Sequence, residues 1–528
     1  MWAVPGPYIH RVSRIPSLNY QRKHAWIRRV CQLHQQYGPV VLLSPNEVSV
    51  NGSDKFIHDI YTHNLPKSDF YANFTNHGGK DNIFASLAND KHLHYKKMIH
   101  KLYSKSAIFS KENDTRGVIV DATRKLIEVV HQSSISGQQP DIHCVKPQFN
   151  LHAKGHRKAW FNKSGRVRNL GIETFTLFGC LAMDVVSRFE LGKDNGSDLM
   201  SNPQQRRIVM EHRIVSSMGF WTTLMPRFWE WAATKLVMQC LVDITQFQLN
   251  LYALAEKNLI SNGKNSTTLQ ALNANGLHGE YAYSFLTDNL FAGHETTAVQ
   301  LCYLAYELSR PAHAPLQAQL RQELVANFGR PTFKNDVIDD LEKLDKLPFL
   351  NALILENSRV HTSIPGAEPR VVDQNTYQVN NLKIPAGTII SCLPYALHRE
   401  PSVFPDPDSF KPHRWLPLSN ANESHEAYTS RIKLQQKYMM PFGKGIRMCL
   451  GMNIAQIEMK AAIANLYWHF HSQIDDDWCQ VLDNDDPIKL GRDNVPSPGV
   501  TDQDLMCMND YYTTSPVGDE CWLRWFEN

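Results

Sequence analysis

Apolar residues recur at helical intervals through much of this chain. The spacing predicts helices over residues 20–37, 171–191, 281–309, 347–360 and 452–470, because side chains three and four positions apart share one face of a helix. The pattern therefore predicts a chain built largely from helices.

Short apolar segments bounded by turn residues interrupt this pattern. Residues 40–50 are predicted to form two strands around a turn, and residues 382–392 a hairpin around the Pro-Ala-Gly turn at 385–387. Small β-elements are therefore expected between the helices.

Composition and charge restrict the class of protein. The chain has 528 residues, 42% hydrophobic and 20% charged, which is enough for a large core. Length alone predicts roughly two to four domains. The net charge of +3 is too small to indicate a nucleic-acid partner, and it neither requires nor excludes an anionic membrane surface. The chain contains no run of about 18 apolar residues that would predict a transmembrane helix, and its first residues lack a signal-peptide pattern.

Cysteine usage gives a second restriction. Ten cysteines are scattered along the chain without a C-x-x-C pair. This distribution argues against a zinc module or a disulfide framework, and it is compatible with a reducing compartment.

One cysteine, Cys449, lies in a motif that indicates a haem ligand. Residues 442–451 match F-x-x-G-x-R-x-C-x-G at every fixed position. A thiolate is a soft ligand that pushes electron density towards haem iron. The alternative is a buried structural cysteine in a glycine-rich turn, but the full pattern would occur by chance in roughly one of several thousand such chains.

The residues around Cys449 suit a flat ring. Gly443 allows a tight turn and a close approach of the backbone, Phe442 can pack beside the sulfur, and Arg447 can reach a haem propionate. The helix predicted after Cys449 would place the sulfur at its N-terminus, where the helix dipole favours a thiolate.

This segment resembles the haem-binding loop of the cytochrome P-450 superfamily. The resemblance covers most of the chain and implies the cytochrome P-450 fold, mainly α with small β-sheets, as one catalytic domain over residues 1–528. It implies haem b (iron protoporphyrin IX) with Cys449 as the metal ligand. It also implies that residues 511–526 form a closing β-hairpin whose tip touches substrate.

A second motif agrees with the resemblance. Residues 292–297, Ala-Gly-His-Glu-Thr-Thr, match the family's oxygen-binding segment within the predicted helix 281–309. Glycine costs about 1 kcal/mol relative to alanine inside a helix, so the motif is explained if the helix opens locally. Ala292 and Gly293 are expected to face haem and dioxygen. The Thr296 hydroxyl is expected to donate to the distal oxygen, and Glu295 to relay protons.

Three further residues are expected near the haem propionates by resemblance. Arg370 would bind one propionate. In the helix predicted over residues 91–103, His92 and Lys96 lie one turn apart at positions where the family carries a His or Trp and an Arg. A lysine lacks the guanidinium fork, and a solvated basic face is the alternative for this pair.

A third set of residues is expected to have a structural role. Glu356 and Arg359 match the family's E-x-x-R pair, and Arg414 lies in a segment that resembles the one completing a buried triad with that pair. The triad would hold the loop that presents Cys449.

Two regions depart from the family pattern. Residues 145–169 are expected to be an exposed insertion or a translated intron, because 146–168 carry seven basic residues and no acid. His152 and His156 there have metal-ligand spacing, but no third ligand is evident. The chain starts near a Pro-Gly-Pro segment, residues 5–7, that resembles the hinge after a microsomal membrane anchor. The anchor is expected to be missing from the gene model or trimmed, unless this form is soluble.

The resemblance implies a haem-thiolate monooxygenase, most similar to filamentous-fungal members of secondary metabolism. It would insert one atom of O2 into a C–H or C=C bond of an apolar small molecule, of terpenoid or polyketide type. Electrons would come from NADPH through a separate NADPH-cytochrome P-450 reductase, because the chain has no nicotinamide or flavin fingerprint. The expected location is the cytosolic face of the endoplasmic reticulum membrane.

Two alternatives stay open. A thiolate-haem isomerase or dehydratase would need no dioxygen, and the Glu295-Thr296 pair argues against it. A haem-binding protein without turnover is favoured by the basic insertion and the missing anchor, and the intact motifs oppose it.

Overall fold

The computed structural model describes residues 2–136, 171–202, 204–259, 267–373, 376–379, 381–418, 423–491 and 500–528. Within these ranges helices dominate and the sheets are small, as predicted. None of the helices described is both long and apolar enough to cross a membrane. The expected insertion at 145–169, with His152 and His156, lies outside these ranges, and the single catalytic domain stays a prediction.

The N-terminal part combines helices with one pair of strands. Its elements are α1 (Ile15–Arg22), α2 (Trp26–Tyr37), β1 (Val40–Ser44), β2 (Glu47–Val50), α3 (Asp54–Ile57), a π-helical turn (His58–Thr62), α4 (Asn89–Ile99), α5 (Lys105–Phe109) and α6 (Asp114–Ser136). The single helix predicted over residues 20–37 is wrong, because the chain breaks between α1 and α2, where His24 has a positive φ of 52°.

The middle of the chain is almost entirely helical. Its elements are β3 (Ile172–Glu173), α7 (Thr174–Leu191), α8 (Arg207–Ser216), α9 (Gly219–Leu224), α10 (Pro226–Ala232), α11 (Lys235–Leu259), α12 (Thr268–Ala274) and α13 (Glu280–Ser309). The 30 residues of α13 span about 45 Å at 1.5 Å per residue. It packs along α7, which is buried around nearly its whole circumference and therefore needs neighbours on every side.

The C-terminal part carries the remaining helices and most of the strands. Its elements are α14 (Ala314–Phe328), α15 (Leu341–Leu344), α16 (Pro348–Val360), β4 (Arg370–Val371), β5 (Tyr377–Val379), β6 (Leu382–Ile384), β7 (Ile389–Ser391), α17 (Pro394–Leu397), α18 (His425–Tyr438), α19 (Met452–His469), β8 (Phe470–Ile474), α20 (Asp502–Leu505) and β9 (Trp522–Glu527).

The strand pairing corrects two predictions. β1 and β2 form the predicted antiparallel pair, and β7 and β4 extend it in the order β1-β2-β7-β4. The hairpin predicted over 382–392 is wrong, because β6 pairs with β5 whereas β7 pairs with β2 and β4. The turn at 385–387 thus carries the chain from one sheet to another.

The predicted closing hairpin at 511–526 is also wrong. β9 pairs with β8 and β3. Residues 511–516 form no strand, although Pro516 makes an isolated bridge to Met508. The last strand therefore ties the chain end to α19 and α7, the helices that follow Cys449 and flank α13.

Candidate active site

Cys449 lies at the end of a tight loop directly before α19. The loop turns at Gly443 and Gly445, where φ is +68° and +70°, and the Cys449 N–H donates to the Phe442 carbonyl at 2.8 Å. Burial raises the pKa of the Cys449 thiol, and the backbone N–H of Gly451 offsets only part of this rise. The side chain nevertheless keeps accessible surface, which indicates that the sulfur faces an enclosed space inside the protein.

The π-helical turn at His58–Thr62, the π turn, contacts this loop and supports it. A Cβ at Gly445 would overlap the carbonyl oxygen of Tyr61, so only glycine fits there. The next residue, Ile446, donates its N–H to Asn64 Oδ1 at 2.8 Å. The position of the Cys449 loop is therefore tied to residues almost 400 positions earlier in the chain.

Tyr103 joins the Cys449 helix to α13. Asn289 on α13 donates to the Tyr103 hydroxyl oxygen at 3.2 Å, and Asn453 on α19 donates to the Tyr103 carbonyl at 2.9 Å. Asn289 lies three residues before Ala292 on α13, and Asn453 lies four residues after Cys449, in the first turn of α19. Ala292 and Cys449 both keep accessible surface. The two motifs therefore approach one interior region.

The Thr296 hydroxyl bonds within its own helix. It donates to the Ala292 carbonyl at 2.7 Å, and Ser363 Oγ donates to the Thr296 carbonyl at 2.9 Å. The expected local opening of the helix is wrong, because α13 is continuous through this segment. The hydroxyl oxygen still has a lone pair, so Thr296 can accept a hydrogen bond in this geometry.

Glu295 is a buried acid whose proton can exchange at neutral pH. Burial raises its pKa to about 7, and Ser216 and Arg213 of α8 offset part of the rise. Among the described residues, Glu295 Oε2 and Ser216 Oγ are both buried without a hydrogen-bond partner. A carboxyl group with a pKa near the working pH is the type that serves in proton transfer.

Gly293 has a different role from the one predicted. A Cβ on Gly293 would lie 2.7 Å from Val186 Cγ2 and 3.1 Å from Val186 Cβ. The absent side chain therefore allows α13 to approach α7 closely. The missing Cβ points towards α7, and this direction does not agree with the expectation that Gly293 makes room for dioxygen.

The predicted structural triad is formed. Glu356 accepts from Arg359 Nη2 at 2.7 Å and from Arg414 Nε at 3.0 Å, and the Trp415 indole and the Lys411 N–H add bonds at 2.9 and 2.8 Å. Burial alone would raise the pKa of Glu356, but the two guanidinium groups hold it below its ordinary value. One buried carboxylate is therefore shared by two guanidinium groups, and every guanidinium nitrogen of the triad has an acceptor.

A second cluster of buried charges is mainly positive. Lys67 forms a backbone bridge with Arg370, and Lys67 Nζ lies 4.0 and 3.9 Å from the ring centroids of Tyr71 and Phe84. Burial, and after it the charges of Arg370 and Arg447, lowers the pKa of Lys67 well below its ordinary value. Burial and then Arg370 lower the pKa of Arg447 to about 10.

Two acids, Asp288 and Glu368, lie close to this cluster, and the charge of each offsets part of the fall in the pKa of Lys67. The carboxylate of Glu368 is 3.8 Å from Arg370 Nη2. Burial raises the pKa of Glu368, and Arg370 and Lys67 only reduce that rise. Arg370 Nε is buried without a hydrogen-bond partner among the described residues. The cluster can therefore accept a further anion.

His92 and Lys96 contact the Cys449 loop. The His92 ring nitrogens lie 3.2 Å from the carbonyl oxygens of Ile83 and Ile446, and burial followed by Arg447 lowers its pKa to about 4. Lys96 Nζ donates to the carbonyls of Ile446 and Met448 at 3.0 and 3.3 Å. The alternative of a solvated basic face is wrong for His92, which is buried.

Arg447 is held by backbone groups. Its guanidinium donates to the carbonyls of Ser86 and Leu87, at 2.6 Å each, and to Asn89 Oδ1 at 3.0 Å. These bonds join the Cys449 loop to the start of α4. Arg447 still has an N–H on each Nη to offer, so its predicted propionate contact stays a prediction.

Comparison with known proteins identifies the family. Residues 14–493 match the family model described as Cytochrome P450. The chain belongs to the cytochrome P450 family. A P450 monooxygenase of Aspergillus hancockii, hkm5, is 26% identical over 495 residues, 89% of this chain and 85% of the relative. A P450 monooxygenase of Gibberella zeae, FGM1, is 26% identical over 469 residues, 88% and 85% of the two chains. A tryptophan 6-hydroxylase of Fusarium equiseti, fscE, is 27% identical over 498 residues, 89% and 86%.

The site residues of this P450 fit a thiolate-bound haem. The Cys449 sulfur is accessible beside two glycine turns. The buried cations Lys67 and Arg370, with the unpartnered Arg370 Nε, suit the two carboxylates of a porphyrin edge. The family implies a haem-thiolate enzyme, and its curated relatives are named monooxygenases.

Sequence reasoning missed two of these residues. Lys67 lies outside the motifs found in the sequence, and a single lysine gives no signal. Its role depends on the bridge to Arg370, more than 300 positions away. Tyr103 was predicted only as the end of a helix, whereas its hydrogen bonds connect α13 to α19.

Proposed function

We propose that this P450 inserts one atom of O2 into a C–H or C=C bond of an apolar small molecule, of terpenoid or polyketide type. The observation that supports the proposal is the Tyr103 connection, which links Asn289, shortly before the Ala292–Thr296 segment, to Asn453, shortly after Cys449. We further propose haem b as the cofactor, and NADPH as the electron source through a separate reductase.

Each residue of the site would have its own role. Cys449 ligates haem, which when bound supplies the oxygen-activating and redox chemistry. Lys67 and Arg370 hold the propionates by charge-assisted hydrogen bonds. His92 and Lys96 fix the backbone of the loop that presents the thiolate.

Glu295 and Thr296 would manage protons. Glu295, whose pKa is about 7, would be partly protonated at neutral pH and would exchange its proton through the nearby Ser216 hydroxyl of α8. The Thr296 hydroxyl, anchored to the Ala292 carbonyl, would accept a hydrogen bond from a water in the site. This division supports oxygen chemistry over the isomerase or dehydratase alternative, which needs no proton delivery of this kind.

Aromatic side chains support an apolar substrate. Phe74 lies 5.0 Å from Phe84 and 5.4 Å from Tyr512 between ring centroids, and Phe70 lies 6.0 Å from Tyr512. The Phe84 ring lies 3.9 Å from Lys67 Nζ and the charge of Arg370 acts on the Tyr512 hydroxyl, so these rings lie beside the two cations. Such a wall binds apolar surface and excludes water.

We also propose contact with a membrane surface at the endoplasmic reticulum. Large apolar side chains are exposed near the chain start and around α10, at Trp2, Tyr8, Ile9, Val12, Ile15, Phe228 and Trp231. α1 contacts α9, so the two groups lie on neighbouring elements. Exposed apolar groups of this size mark a binding surface more often than a solvated one.

A reduced carbon-monoxide difference spectrum and an ¹⁸O₂ assay test the proposal together. Thiolate ligation predicts the red-shifted Soret band of the family, and Cys449→Ser should abolish it. Turnover with NADPH and reductase should place one ¹⁸O atom in product. Product without ¹⁸O would favour the oxygen-independent alternative, and an imidazole-type spectrum would reject Cys449 as ligand.

A further inference from the structure

The π turn carries metal-ligand side chains outside the haem site. The His63 N–H donates to the His58 carbonyl at 2.9 Å, five residues earlier, which is the hydrogen bond of a π-helix. The two imidazole rings consequently lie beside each other in an edge-to-face arrangement, with centroids 4.3 Å apart and planes at 71°. On an α-helix, residues five positions apart point in different directions.

Asp59 brings a carboxylate to the two rings. Its Oδ1 lies 3.6 Å from His58 Nδ1 and 3.9 Å from His63 Nδ1, and one ligand atom from each of the three residues lies within 4.8 Å of the others. A tetrahedral zinc ion with bonds of about 2.0–2.1 Å keeps its ligand atoms about 3.3 Å apart. A small inward rotation of the two side chains would therefore complete the geometry.

Access and orientation both favour binding. The His58 and His63 side chains are 57% and 63% exposed, so an ion reaches them directly from solvent and a water can fill the fourth position. The Tyr377 hydroxyl donates to Asp59 Oδ2 at 2.9 Å. This bond orients the carboxylate and leaves Oδ1 turned towards the histidines, as hydrogen-bond partners of metal-binding carboxylates do.

One nearby cation competes for the same carboxylate. Lys55 Nζ lies 3.9 Å from Asp59 Oδ2 and its side chain is 69% exposed. An exposed lysine at this distance interacts weakly and can move away. It lies on the oxygen bound by Tyr377, so the metal-facing oxygen stays accessible.

We propose that His58, Asp59 and His63 bind one divalent transition-metal ion through two imidazole nitrogens and one carboxylate oxygen. Imidazole with carboxylate suits Zn²⁺, Ni²⁺ or Cu²⁺, whereas Ca²⁺ and Mg²⁺ prefer oxygen ligands alone. The site is separate from Cys449, and its binding of metal does not depend on the proposed monooxygenase reaction.

Metal binding should reach the Cys449 loop through the π turn. Tyr61, within the turn, packs its carbonyl against Gly445, and Asn64, just after it, accepts the Ile446 N–H. An ion that joins His58 to His63 restrains the turn on which both contacts depend. We therefore expect slower hydrogen exchange at the Ile446 amide when the site is filled.

The test is equilibrium dialysis of the haem-loaded full chain, stripped of other metals, against Zn²⁺ alone. The parent should bind one Zn²⁺. His63→Gln, His58→Gln and Asp59→Asn should each weaken this binding by about tenfold or more, and Tyr377→Phe should weaken it by about tenfold. His425→Gln, which removes an exposed histidine on α18, is the matched control and should bind as the parent does.

Two results would overturn the inference. Equal Zn²⁺ affinity in the parent and in both histidine variants, all with unchanged circular dichroism, would exclude this site. A Ca²⁺ affinity equal to that for Zn²⁺ would exclude the imidazole ligands. If Zn²⁺ binds as expected but the Ile446 amide exchanges at the same rate, the link to the Cys449 loop is wrong.

Discussion

Glu356 and Glu295 are both buried glutamates, yet their surroundings are opposite. Glu356 accepts hydrogen bonds from Arg359, Arg414 and Trp415, and its pKa is held below the ordinary value. Glu295 has one carboxylate oxygen without a partner among the described residues, and burial raises its pKa to about 7.

The difference separates a structural acid from an acid that can exchange protons. A carboxylate surrounded by cationic donors stays ionised and fixes the groups around it. A carboxyl group that burial keeps partly protonated can give up and regain its proton at neutral pH. The number of donors around each acid, rather than burial itself, therefore decides the role, and the substitutions below test this.

The largest expected effect is at Glu356. Glu356→Gln removes the charge that Arg359 and Arg414 share and leaves two buried guanidinium groups uncompensated, which should cost about 3–5 kcal/mol of unfolding free energy. Unfolding in guanidinium chloride measures this loss of unfolding free energy. The parent's stabilisation from this acid is present at neutral pH and is lost as pH falls through the lowered pKa. Glu426→Gln, an exposed glutamate on α18, is the control, and an equal loss there would refute the structural role.

Glu295→Gln should change the unfolding free energy in the opposite direction and raise it. The pKa of Glu295 is raised in the folded protein, so its stabilising contribution is present below the ordinary value of 4.5 and is lost as pH rises through about 7. The uncharged variant should therefore match the parent near pH 4 and exceed it by about 3 kcal/mol at pH 8. Unfolding at the two pH values measures this.

The same variant tests proton delivery separately. If Glu295 relays protons, Glu295→Gln should release several times more peroxide per NADPH consumed while binding substrate normally. A stability gain at pH 8 without any change in peroxide release would keep the physical description of the buried acid and reject its catalytic role.

Lys67→Met sharpens the comparison from the cationic side. Arg359 and Arg414 share a buried carboxylate, whereas Lys67 lies among other cations. Removing its charge should leave the haem-free protein unchanged or stabilise it by about 1–2 kcal/mol, and should weaken haem retention about tenfold, equivalent to about 1.4 kcal/mol.

The pH dependence of the haem-free protein checks the cause. The pKa of Lys67 is lowered on folding, so the unfolded chain binds the proton more tightly and stability rises with pH up to the ordinary value of 10.5. This rise should flatten in Lys67→Met. Lys433→Met, on the exposed face of α18, should change neither the stability of the haem-free protein nor its haem retention. A loss of stability in haem-free Lys67→Met would contradict the inference that the neighbouring cations repel Lys67.

Four of the five helices predicted from periodicity are present and the triad motifs agree with the structure, whereas the 23 residues of α6 carried no prediction. The helix expected over residues 281–309 begins one residue earlier and ends where predicted, because thirty residues of periodic pattern leave little freedom. Glu356, Arg359 and Arg414 were identified from local segments, and the structure joins them.

What failed depends on contacts between distant segments. A Pro-Ala-Gly turn shows that the chain bends but not which strand pairs with which, so β6 and β7 were assigned to one hairpin. His58 and His63 have no α-helical ligand spacing, and only the π-helical hydrogen bond brings them together. The roles of Lys67 and Tyr103 likewise depend on partners far along the chain.

The smallest effect is expected at Gly293, which sets how closely α13, and with it Glu295, approaches α7. Gly293→Ala gains about 1 kcal/mol of helix propensity but drives a Cβ into Val186, a stiff β-branched side chain, at a cost of about 1–3 kcal/mol. A net loss of about 1 kcal/mol should follow, and Val186→Ala should relieve it. A double-mutant cycle measured by denaturant unfolding would then give a favourable coupling of about 1 kcal/mol. Zero coupling, together with raised peroxide release in both Gly293→Ala proteins, would return Gly293 to the oxygen site and leave the position of Glu295 to other contacts.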